Sequence, residues 1–127
     1  MSQKSLDWIF MSITLMIVIL FFTIVDHSVH GLESRWNVPD YYFRNKIPFG
    51  FLWGVVGLFL ARKYRGDWLK ALIVAGTISI TLQVRYFLEG YSLGFVILFL
   101  FIHFIILYFL SVAMFAVFNK YLNKRIS

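Results

Sequence analysis

Positions 26–33 of the chain read Asp-His-Ser-Val-His-Gly-Leu-Glu, which gathers two acids and two imidazoles within eight residues. On a continuous helix Asp26 and His30 are four residues apart and share a face, and Glu33 joins them if helical geometry survives Gly31. Carboxylate oxygens and imidazole nitrogens are the donors that Zn²⁺, Cu²⁺ or Fe²⁺ accept, so Asp26, His27, His30 and Glu33 are candidate metal ligands. Ser12, Met16, Ile19 and Thr23 lead up to the same face and point it toward a helix partner. A plainer reading also fits: Arg35, Arg44 or Arg85 could neutralise the acids with no metal involved.

Two other sets of residues could move protons or bind a ligand. Gln83, Arg85, Tyr86 and Glu89 fall close together, with Arg85 and Glu89 at the ion-pair spacing. His103 stands alone in a long apolar run and is a relay or haem-ligand candidate; its ordinary expectation is a buried hydrogen bond to Ser79 or Thr77. No cysteine is present, which excludes disulfides, thiolate metal sites and thiol redox chemistry. Nucleotide-binding glycine loops, nucleophile elbows, sequons and internal repeats are absent from the sequence.

The elements that must position these residues are membrane helices. Hydrophobic residues make up 61% of the chain and charged residues 14%, with a mean hydropathy of +0.80, whereas a soluble domain carries roughly a quarter charged residues. Four apolar runs are predicted to span, at about 8–25, 47–61, 68–88 and 93–118, with a loop over 26–46. The first reaches about 27 Å at 1.5 Å per residue and reads as an uncleaved helix rather than a signal peptide. The second is short, so Lys46 and Arg62 are expected to snorkel to the two interfaces, with Pro48 in the first turn. Pro39 with Tyr41, Tyr42 and Phe43 suggests a turn and a short interfacial segment ahead of it. The expected fold is therefore an all-α, four-helix membrane bundle forming one domain over residues 1–127.

Basic residues set the expected orientation. Lys4, Arg62, Lys63, Arg65, Lys70, Lys120, Lys124 and Arg125 fall on one side, and Arg35, Arg44, Lys46 and Arg85 on the other. That asymmetry places both termini in the cytoplasm. The net charge of +6 follows from topology and attraction to anionic lipid, which leaves no need for a nucleic-acid partner. Gly50, Gly54, Gly57 and Ala61 form a small-residue stripe, and Ala71, Ala75 and Ser79 a matching one, predicting close packing of helices two and three or contact with a second chain.

Short resemblances do not name a function. His27 to Leu32 with Asp40 and Tyr41 downstream resembles the haem and quinone segment of small succinate dehydrogenase anchors, but Pro39 interrupts that pattern. The Asp26 and His30 spacing is similar to a metal pair in membrane subunits of copper monooxygenases, without their third histidine. The expected role is a small non-catalytic accessory or structural subunit of a larger membrane complex, a respiratory or monooxygenase-type redox complex being one candidate, with other subunits or a second copy as partner. A small oligomeric transporter or channel, and a metal or haem protein built on Asp26, His27 and His30, are the alternatives. No particular cofactor follows from the residues.

Overall fold

The computed structural model describes residues 2–122 as helices and short connections. Lys124 and Arg125, counted above with the cytoplasmic set, lie outside the described residues. Helix α1 is Gln3–His30, α2 is Tyr41–Ala61, α3 is Asp67–Leu88 and α4 is Leu93–Val117, which runs on into a π-helical turn at Phe118–Leu122. A 3₁₀ turn at Ser34–Trp36 interrupts the connection between α1 and α2.

Local chemistry accounts for the helix ends. Ser2 and Ser92 cap α1 and α4 by accepting the amide N–H groups of Ser5 and Phe95, both at 3.2 Å. Gly66 before α3 and Gly90 after it adopt φ of 89° and 91°, the left-handed region in which a Cβ is penalised. Those two reversals fold α2, α3 and α4 into antiparallel neighbours. Contacts run α1 to α2, α2 to α3, α3 to α4 and α4 back to α1, a closed ring of four. One end of the bundle carries the 31–40 connection; the other carries the amino terminus, the 62–66 turn and the end of α4.

Three of the four helices, α1, α3 and α4, are long and apolar enough to cross a membrane, which marks the chain as a membrane protein. Their outer faces are apolar, as at Ile13 (53% exposed), Ile24 (65%) and Phe109 (62%), a surface suited to lipid and not to water. Thr14, Thr23 and Thr77 donate their hydroxyls to carbonyls four residues back, at 2.7, 2.8 and 2.7 Å, so these polar groups need no water.

Helix α2 departs from the sequence expectation. It begins at Tyr41, so Tyr41, Tyr42 and Phe43 form its first turn and no separate interfacial segment precedes it. Pro48 consequently lies inside the helix, where it has no N–H to give the Arg44 carbonyl. Lys46 does not snorkel outward; it is 2% exposed and turns into the bundle. Arg44, Asn45 and Lys46 in these opening turns also keep α2 from counting among the helices apolar enough to span.

The glycine stripe of α2 is shared between two neighbours. A Cβ on Gly50 would meet Ile19 of α1 at 3.3 Å, and one on Gly54 would meet Leu15 of α1 at 2.8 Å. Gly57 instead faces α3, where a Cβ would sit 3.1 Å from the Val74 Cα. On α3, Ala71, Ala75 and Ser79 are buried, as is Ala61 at the end of α2. Backbone yields less readily than a side-chain tip, so Gly57→Ala is expected to destabilise by about 1–3 kcal/mol. Gly76→Ala on α3, whose Cβ would have only Phe104 at 4.0 Å, should be neutral or gain up to about 1 kcal/mol from helix propensity. Thermal unfolding of both variants in the same detergent checks the ordering.

Candidate functional site

Each helix contributes to one polar layer near the end that carries the 31–40 connection. Asp26 and His30 come from the last turns of α1, Lys46 from the second turn of α2, Gln83 and Tyr86 from the end of α3, and His103 from the third turn of α4. All six are buried, with Asp26 and His103 fully enclosed. An ionised carboxylate at such a place requires compensation from every side.

Asp26 receives that compensation at both oxygens. Lys46 Nζ donates to Oδ2 in a buried ion pair, while its ammonium lies 5.0 Å from the Phe43 ring centre and 5.1 Å from that of Tyr86. His103 Nε2 is 2.7 Å from Oδ1 and His30 Nε2 is 3.3 Å from the same atom. The far nitrogens of the two rings are tied as well. His30 Nδ1 donates to the Trp36 carbonyl at 2.7 Å, and His103 Nδ1 lies 2.6 Å from Gln83 Nε2.

These tethers dictate where the lone pairs point. A His103 that donates Nε2–H to Asp26 must accept at Nδ1 from the Gln83 amide, which leaves the buried Gln83 Oε1 without a partner. If the Gln83 amide turns over, Oε1 accepts Nδ1–H and Nε2 carries a bare lone pair facing Asp26. For His30, giving Nδ1–H to Trp36 leaves the neutral ring with a bare Nε2 aimed at a carboxylate oxygen, and that nitrogen has no hydrogen-bond partner. Two acceptors 3.3 Å apart repel unless a proton or a metal cation lies between them. Asp26, His30 and His103 each offer a ligand atom within 4.8 Å of the others, which is metal-site spacing.

Aromatic rings close the layer to water. Phe99 stacks on His30 with centroids 4.1 Å apart and planes within 6°, and Phe43, Phe95 and Tyr86 flank the same ring. The Tyr86 hydroxyl is buried without a partner. Above lies a cavity of about 380 Å³ whose walls include Arg35, Trp36, Tyr91 and Phe95, so two of its wall residues also touch His30. At its rim, burial and the nearby Glu89 carboxylate push the Tyr91 phenol above its ordinary range.

The candidates named from sequence separate into two groups. Asp26 and His30 enter the layer and His103 joins them from α4. His27 and Glu33 face outward, His27 edge-on to Phe43 and Glu33 paired with Arg35. Arg85 and Glu89 pair with each other at 3.3 Å near the rim, and the Arg85 guanidinium lies 5.1 Å from the Tyr42 ring. The expected partners of His103, Ser79 and Thr77, do not bond it: Ser79 Oγ has no partner and Thr77 bonds its own helix. Lys46 was missed as a site residue because a lysine just before an apolar run reads as an interfacial anchor. Its one signal was the shortness of that run.

Comparison with known protein families, curated proteins and solved structures finds no match to this chain.

Removing one partner of a buried pair strands the other charge, which typically costs 3–5 kcal/mol. Lys46→Met is therefore expected to destabilise the metal-free protein by about 3–5 kcal/mol, and Asp26→Asn with Lys46→Met together to cost less than Lys46→Met alone. Denaturation of these two variants and of Asp26→Asn alone in mild detergent checks this; a loss in the double variant equal to the sum of the two single losses would show that the pair contributes nothing.

Proposed function

We propose that this chain is a four-pass membrane protein, both termini cytoplasmic, that binds one transition-metal ion at Asp26, His30 and His103. The concentration of basic residues at the end holding the amino terminus supports the orientation. For α2 as the fourth crossing, its 21 residues reach about 31 Å, and Lys46, the charged residue nearest its apolar run, is turned inward.

The observation that carries the metal reading is the double tethering of the histidines. Metal-binding imidazoles characteristically donate their distal N–H to a carbonyl or similar acceptor, which orients the ring and raises its basicity. His30 has the Trp36 carbonyl in that role, and His103 gains the Gln83 Oε1 in it once that amide turns over. Two imidazoles and one carboxylate suit Zn²⁺, Cu²⁺ or Fe²⁺, while Mg²⁺ and Ca²⁺ call for more oxygens. The Lys46 ammonium on Oδ2 disfavours weakly bound divalent ions further by like-charge repulsion. Three protein ligands leave a position open, the arrangement of metal sites that exchange or react. The cavity above His30 supports access from that end, so the ion could be transported cargo as well as a resident cofactor.

Elemental analysis and chelator competition on purified protein loaded with Zn²⁺, Cu²⁺ or Fe²⁺ test the reading. One ion per chain is expected. His30→Ala and His103→Ala should each weaken binding by at least the 10–100-fold typical of losing an outer-shell partner, and Gln83→Ala by about 10–100-fold. His27→Ala and Glu33→Gln should bind like the parent. A folded protein that takes up no ion, or equal losses at His27 and His30, would overturn it.

A second reading, a small accessory subunit of a larger membrane complex, draws on the exposed rings of Phe101 (61%) and Phe109 (62%), two turns apart on α4, as a face for another helix. The glycine stripe lends it no support, because Gly50, Gly54 and Gly57 are used inside the chain. Mild extraction from native membranes separates the readings by whether stoichiometric partners accompany the protein.

A further inference from the structure

The opposite end of the bundle carries different chemistry. There the first turns of α1, the ends of α2 and α4 and the start of α3 surround a cavity of about 230 Å³. Its deeper walls are apolar, with Trp8 and Met11 from α1, Leu58 from α2 and Phe115 from α4. Its rim is basic: Lys4, Arg62 and Lys70 stand against one acid, Asp7, whose carboxylate accepts a hydrogen bond from Gln3 Nε2 at 3.0 Å.

Among the described residues, no carboxylate lies within ion-pair distance of these three cations. Arg62 gives one N–H to the Phe59 carbonyl at 2.7 Å and lies over the Phe59 ring, which fixes its guanidinium while leaving other donors free. Lys70 Nζ is 5.8 Å from the Phe115 ring, so its stem crosses the apolar wall and its charge reaches the rim. Cations with no acid in ion-pair contact, over an apolar floor at the end of a membrane bundle, match a ligand with an anionic head and a hydrocarbon body.

We propose that this cavity is a binding site for the phosphate head of an anionic phospholipid, with Arg62 and Lys70 as phosphate donors and the Trp8, Met11, Leu58 and Phe115 wall receiving the upper part of an acyl chain. A free phosphate shares the head chemistry but has nothing to place against that wall. The site is independent of Asp26, His30 and His103.

The test uses full-length protein in mild detergent, titrated with dioleoyl phosphatidylglycerol, with dioleoyl phosphatidylcholine or with inorganic phosphate, and read by thermal stability and by lipid adducts in native mass spectrometry. Phosphatidylglycerol should raise the Tm and form a one-to-one adduct at concentrations where the other two do neither. Each basic residue near anionic lipid contributes about 1 kcal/mol, so Arg62→Gln with Lys70→Gln should weaken phosphatidylglycerol binding about thirtyfold. Both positions are at the rim, and retained helicity and parent-like stability without lipid confirm that the variant folds. Arg35→Gln, at the other end, should bind phosphatidylglycerol like the parent. Equal responses to phosphatidylglycerol and phosphatidylcholine, an equal response to inorganic phosphate, or equal weakening by Arg35→Gln would overturn the proposal.

Discussion

A carboxylate enclosed in an apolar bundle sets the terms for everything around it. Asp26 has no solvent exposure, and burying such an anion costs several kcal/mol unless partners replace its hydration. Its own helix can supply only His30, one turn on, so the other compensation must come across helix interfaces. Lys46 arrives from α2 and His103 from α4, while Gln83 of α3 orients His103 from behind. The four helices are thereby held at one level relative to each other, because sliding any of them by a turn would remove a partner. The same demand explains why α2 starts early: the turns that hold Tyr42, Phe43 and Lys46 must be helical to bring the ammonium and its aromatic walls inward.

Away from that layer, the bundle is held by shape. Leu15, Ile19, Val74, Ala75, Ile78 and Leu107 are fully buried, and the glycines of α2 let α1 and α3 approach its backbone. Lipid offers no hydrophobic advantage to helix association, so close packing and the hydrogen-bonded layer must carry specificity. Hydroxyls on α1 and α3 that bond within their own helices add polarity to the sequence without adding cross-helix ties. Among the described residues the interior thus has one cross-helix hydrogen-bonded stratum over a largely apolar, tightly fitted stem.

The two ends differ in what they offer a ligand. At one, histidines and an aspartate face each other under a shell of Phe43, Phe95 and Phe99, which excludes water and strengthens every charge interaction inside. At the other, basic side chains stand free over an apolar floor, where an interface with anionic lipid suits them. A buried cluster of ligand atoms at one end and a basic rim over apolar walls at the other set the two ends apart in the ligands each would suit.

Much of this was legible along the chain. Long runs without charge can only be helices that satisfy their own backbone in lipid, so the all-α character and the membrane setting follow from composition and length. The pairing of Asp26 with His30 also follows, since helical periodicity places residues four apart on one face. What spacing could not decide is which residues distant in sequence meet. Asp26 and His103 are separated by 77 positions, and His103 had several nearer hydroxyls to choose from. Lys46 read as an anchor because it stands just before a short apolar run; its inward turn depends on a carboxylate twenty residues away on another helix. Local sequence determines which faces exist and how polar they are, whereas the burial cost of one unpaired charge, felt only once the helices assemble, decides which faces meet.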